Sequence, residues 1–216
     1  MKTQFLQGTA TLMITLGLSL GFTQCSEGSG MYDILATDNA SLKSTTEDLF
    51  LSQEEIDAIR YMREEEKLAR DVYLHLYELY PLRPFFNISK SEQAHMDAIL
   101  YLINTYGLDD PVGENPEGVF QNQELQQLYD ELIETGSAGR VEALKVGAFI
   151  EEVDIIDLRT QLEVSAESVE VIRVFNNLCN ASERHLKAFV SVLKAYGVEY
   201  TPVELEQEEF DRIMSD

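Results

Sequence analysis

A chain of 216 residues, 44% of them hydrophobic, is long enough for one domain with a real core and short for several. Its 39 acidic against 16 basic residues leave a net charge of −23, which repels nucleic acid, a polymer gripped through Lys and Arg contacts to phosphate, and attracts cations. Two cysteines, Cys25 and Cys179, are too few for a disulfide framework and supply neither a zinc–thiolate site nor a Cys-x-x-Cys electron-transfer module.

Residues 1–24 read as an export signal. Lys2 precedes an apolar run from about Phe5 to Phe22, a positive start followed by a short apolar core. Cys25 comes next, then Ser26-Glu27-Gly28-Ser29-Gly30. An apolar leader ending at a cysteine with a small polar stretch behind it resembles a bacterial lipoprotein signal. Phe22-Thr23-Gln24 departs from the Leu-small-small run usual before such a cysteine. Lipidation at Cys25, cleavage to a soluble product and retention as an uncleaved anchor all place the domain in the cell envelope or outside it. Residues 25–50, rich in Ser, Thr, Gly, Asp and Asn, read as a flexible tether.

The folded region is expected over 51–198. Ser52 and Glu55 form a capping-box pattern that opens a long first helix. Ile56, Ile59, Met62, Ala69, Val72, Tyr73, Leu76 and Leu79 give it helical periodicity, and Pro81 and Pro84 close it. Glu66 falls on that inward stripe where an apolar residue belongs, with Glu65 as the alternative. A second helix is expected from about Ser89 to Tyr106, with Glu92, His95, Ile99, Leu102 and Ile103 facing inward and Gly107 as the stop. Residues 107–118 form a long connection, and Asn122–Glu134 a short helix within the crossover. The third long helix, about Arg140–Leu162, carries Glu151 on its apolar stripe, with Asp154 able to share the face. Glu152 is rotated about 100° away. The fourth, from near Ser165 to Tyr196, carries His185 between Leu178 and Phe189. The acidic tail, 199–216, contains a short helical pattern at Val203–Met214. Nothing reads as a strand.

Four long amphipathic helices with short links inside each pair and a long link between the pairs define an all-α, antiparallel four-helix bundle, its crossover carrying a short extra helix between the second and third long helices. Every inward stripe carries a metal-competent side chain: Glu66; Glu92 with His95; Glu151 with Asp154; and His185. Buried unpaired charges cost several kcal/mol each in effective terms, and a cation bound among them supplies the compensation. Mixed carboxylate and imidazole donors accept iron and manganese alike.

These residues carry a resemblance. Glu66-x-x-Ala69-x-x-x-Tyr73, Glu92-x-x-His95, Glu151-x-x-Asp154 and His185 resemble the ligand helices of rubrerythrins and ferritins, over roughly residues 50–198. Glu64–Tyr73 and Ile150–Ile155 also resemble an uncharacterised bacterial family of secreted or lipid-anchored ferritin-like domains. The resemblance implies a centre of two iron or two manganese ions, or a single ion, held by Glu66, Glu92, His95, Glu151, Asp154 and His185. It implies redox chemistry with O2 or peroxide, of ferroxidase or peroxidase type. One position departs: the ferritin-like pattern has a second Glu-x-x-His on the fourth helix, and here the residue three before His185 is Ser182. That departure keeps open an alternative, a non-enzymatic envelope module that binds or buffers metal. The expected partners are metal ions and a membrane reached through a lipid anchor at Cys25, with no nucleic acid; homodimerisation is left open.

Overall fold

The computed structural model describes residues 51–215; the expected export signal, the tether and Cys25 lie outside them. Six helices follow in order: α1 (Gln53–Leu79), α2 (Arg83–Tyr106), α3 (Gln123–Gly136), α4 (Arg140–Val164), α5 (Val169–Ala195) and α6 (Gln207–Ser215). Among the described residues there is no strand, and no helix is long and apolar enough to cross a membrane.

The four long helices form the expected bundle as two hairpins, α1 with α2 and α4 with α5; α2 packs on α5 and α1 on α4, and α3 bridges α1 and α4. Ser52 and Glu55 make the capping box in full: Ser52 Oγ accepts from the Glu55 amide, and Glu55 Oε2 from the Ser52 amide, each at 3.1 Å. Glu55 Oε1 also accepts from the amides of Glu167 and Ser168, tying the start of α1 to the start of α5. Gly107 ends α2 in the left-handed conformation, φ 65°, that favours glycine at a helix C-terminus.

The second helix begins at Arg83, six residues before the expected Ser89. Pro84 does not close α1 but sits in the first turn of α2, where its missing N–H costs no hydrogen bond. Leu79, expected on the apolar stripe of α1, is exposed. The tail helix starts at Gln207, later than its sequence pattern suggests. Leu205, Phe210 and Ile213 of the tail are buried in the core.

Packing at one end of the bundle brings helices unusually close. A Cβ at Gly147 would lie 2.4 Å from the Phe189 ring, so only glycine lets α4 accept that ring. Phe189, Phe85 and Tyr73, all fully buried, pack there as tilted pairs with centroids 5.3–6.1 Å apart.

Candidate metal centre

Because α1, α2, α4 and α5 each present their inward stripe to one axis, the odd polar residues of those stripes meet. Two triads form, Glu66–Glu92–His95 and Glu92–Glu151–His185, and within each triad one donor atom per residue lies within 4.8 Å of the others. Glu92 belongs to both. Its Oε2 lies 2.7 Å from His95 Nδ1, and its Oε1 lies 2.9 Å from His185 Nδ1. On the first side His95 Nδ1 is also 3.0 Å from Glu66 Oε2. On the second, His185 Nδ1 is 3.4 Å from Glu151 Oε2. The imidazoles face one another with centroids 5.6 Å apart and planes 23° from parallel.

The close approach of Glu92 Oε1 to His185 Nδ1 is not aligned as a hydrogen bond: both atoms are buried without a hydrogen-bond partner, as are Glu66 Oε1 and Asp154 Oδ1. Four buried donor atoms without hydrogen-bond partners are a set that a cation would satisfy. The donor set, three glutamates and two histidines with an aspartate at hand, suits iron or manganese.

Charge and burial work against each other throughout. Burial pushes Glu66 well above the ordinary carboxylate range; Asp154 adds to this, and His95 opposes it. Burial likewise raises Glu151, against the pull of His185. Glu92 is the exception. Burial would raise it, but its contacts with His185 and His95 outweigh that and bring it down to about 2. The imidazoles respond in kind: burial alone would lower them, yet Glu66 and Glu92 carry His95 up to about 12, and Glu151 and Glu92 carry His185 up to about 10.

The Ser182 position has its own geometry. Ser182 is fully buried and its hydroxyl hydrogen-bonds Asp154 Oδ2, with the Leu178 carbonyl 3.1 Å away. A carboxylate from α4 thus stands opposite the position on α5 that lacks one. Burial, with Glu151 beside it, lifts Asp154 to about 7.

The structure brings Glu66, Glu92, His95, Glu151 and His185 into the two triads and sets Asp154 beside them, on Ser182, with His75 half-buried outside the group. Tyr73 does more than pack: its hydroxyl donates to Glu151 Oε1 at 2.6 Å and fixes that carboxylate's orientation. Glu152 is directed away from the centre, as its rotation implies, but it is not a surface residue. It is fully buried and accepts from Tyr200 OH at 2.6 Å and from the amides of Val203, Glu204 and Leu205 at 2.8–2.9 Å. Glu65, the alternative to Glu66, is buried as well, against α4.

The sequence profile of a family described as an uncharacterized protein domain, DUF2202, matches residues 55–216. The chain belongs to the DUF2202 family. The match spans both hairpins and all six residues of the centre. This DUF2202 chain is 46% identical over 165 residues to the uncharacterized protein MJ0754 of Methanocaldococcus jannaschii, covering 76% of this chain and 89% of that one. It superposes on the crystal structure of the hypothetical protein MJ0754 from Methanococcus jannaschii with a TM-score of 0.75 and 45% identity, over 77% of this chain and 95% of the other.

Proposed function

We propose that this DUF2202 protein is a ferritin-like metal protein that binds two iron or two manganese ions and uses them in redox chemistry with O2 or peroxide. The single observation that carries the reading is Glu92, a buried carboxylate with one oxygen turned to each histidine. Glu66 and His95 would hold one ion, Glu151 and His185 the other, and Glu92 would stand between them. Ions held there would supply reversible one-electron chemistry.

The protein's own contribution is position. Tyr73 holds Glu151 in one orientation, and the buried Phe189 ring packs against Tyr73. Asp154 has Oδ2 engaged by Ser182, which leaves Oδ1 to a cation or to a proton. With its carboxyl lifted to about 7, Asp154 is suited to give or take that proton near neutrality.

A second reading has one observation in its favour: Ser182 leaves the α5 side of the site without its own carboxylate. In that reading the protein binds and buffers metal without turnover. Elemental analysis of natively purified protein comes first, with about two Fe or Mn per chain expected for a centre of this donor set; only trace metal would end both readings. Fe2+ oxidation or peroxide consumption, abolished in Glu92→Ala and His95→Ala, supports the redox protein. Metal at full stoichiometry with no turnover supports the buffering module.

A further inference from the structure

A second group of acids lies beside the centre, between α1 and α4. Glu65 is 4% exposed, and neither of its carboxylate oxygens has a hydrogen-bond partner. Helical spacing sets Tyr61 one turn before it on the same face of α1, and sets Asp154 and Asp157 together on one face of α4. Glu65 lies against both aspartates. Tyr61 OH donates to Asp157 Oδ2 at 3.0 Å.

The acids are graded in depth. Glu124 is exposed in the first turn of α3 and its charge reaches Tyr61; Asp157 is half-buried; Glu65 is buried; Asp154 and Glu66 belong to the centre. A leucine at position 65 would fill apolar space without the cost of an unmatched carboxylate.

We propose that Glu65 and Asp157 form a staging site for a divalent cation, through which ions pass from the surface beside α3 to the centre. The proposal rests on the reading that the centre binds metal. Two carboxylates and a phenol oxygen are hard donors that suit a partly hydrated divalent ion. With no imidazole among them, they hold it more loosely than the Glu/His triads do, as a transit position requires.

The test uses the full chain, stripped of metal by chelation and mixed with Mn2+, with free Mn2+ followed by electron paramagnetic resonance. The wild-type protein is expected to bind its tight ions and, in addition, one weaker, rapidly exchanging ion. Glu65→Gln and Asp157→Asn keep side-chain volume and are expected to retain the tight ions at equilibrium. They should lose the weak one and load about tenfold more slowly, the effect of removing a single charge that favours a passing cation. Asp157→Asn, further from the centre, gives the same reading if Glu65→Gln fails to fold. Wild-type loading rates in both variants with the tight ions in place would overturn the staging site and leave the centre standing. Loss of the tight ions in both variants would also overturn it, by making these residues ligands of the centre. Absence of any Mn2+ uptake by the wild-type chain would bring down the staging site together with the centre.

Discussion

Helix α1 buries charge on two faces, and the two are treated in opposite ways. Towards the crossover, Arg63 makes a paired contact with Asp110, at 3.1 and 3.0 Å, and donates to the Met96 carbonyl at 2.8 Å. Glu64 accepts from the amides of Gln121 and Asn122. Lys67 is bound to Asp71 and to the Pro116 carbonyl, and Asp71 also takes the Gly118 amide and the Arg70 guanidinium. Every one of these groups is matched by an opposite charge or a backbone dipole. Towards the bundle interior, Glu65 and Glu66 meet other carboxylates, and three of their four oxygens have no hydrogen-bond partner. Burial of charge alone therefore says little about function. Burial among other carboxylates, on a helix that pairs the charges of its other buried face, is the pattern a bound cation would complete.

The sharpest way to break the contrast is at the matched face. Asp71→Ala strands Lys67 in the interior and is expected to cost about 3–5 kcal/mol, measured by denaturant unfolding, with no change in metal content. The unmatched face responds instead to metal. Withdrawing ions present at about a thousandfold their dissociation constant removes about 4 kcal/mol, which at about 2–4 °C per kcal/mol in a domain of this size lowers the melting temperature by roughly 10 °C. Glu92→Gln should abolish that metal-dependent gain, because both triads lose a ligand. Tyr73→Phe removes one hydrogen bond to a carboxylate and should cost about 1.5–3 kcal/mol, with altered metal spectra that Phe85→Leu does not reproduce.

A smaller, graded effect comes from pH. Asp154 stands near 7 against an ordinary 3.8, so between those values the folded chain holds a proton that the unfolded chain has released. His185 and His95, lifted to about 10 and about 12, keep protons that the unfolded chain loses above 6.5. Each makes the folded state the stronger proton binder, so stability of the metal-free protein falls as pH rises through this range. Glu92 acts in the other direction only below 4.5, where stability is lost as pH falls towards about 2. Chelator-treated protein is therefore expected to melt higher at pH 5 than at pH 8, and saturating Mn2+ to reverse that order, because ions and protons compete for the same atoms. The least effect belongs to the exposed neighbour of the matched pair. Arg60 lies 3.6 Å from a fully exposed Asp109, and Arg60→Ala should leave the melting temperature unchanged.

Periodicity made the bundle legible, and the same periodicity exposed the centre: Glu66, Glu92, His95, Glu151 and His185 stand out because each interrupts an apolar stripe. Helix ends were less clear where one residue type serves two purposes. Pro84 stops a helix or begins one, and only the packing of Phe85 and Ile88 into the core decides it. The buried role of Glu152 was hidden for a different reason. Its rotation off the inward stripe is read correctly, but its partners lie about fifty residues downstream, in a tail whose short helical pattern does not say where it packs. Glu65 was hidden by its neighbour, since the stripe needed only one inward acid. The three-residue spacing of Asp154 and Asp157 was the available signal that α4 presents an acidic face to it.

The grip of Glu152 on Tyr200, Val203, Glu204 and Leu205 has a consequence for how the chain is made. The four residues that donate to this carboxylate follow the end of α5, so they are the last part of its surroundings to be made. Until then the hairpin must leave Glu152 in water or bury it bare, which is costly. The core around α4 can therefore close fully only once the segment after α5 is in place, and a chain cut before Tyr200 would keep the residues of both long hairpins and leave Glu152 without these donors.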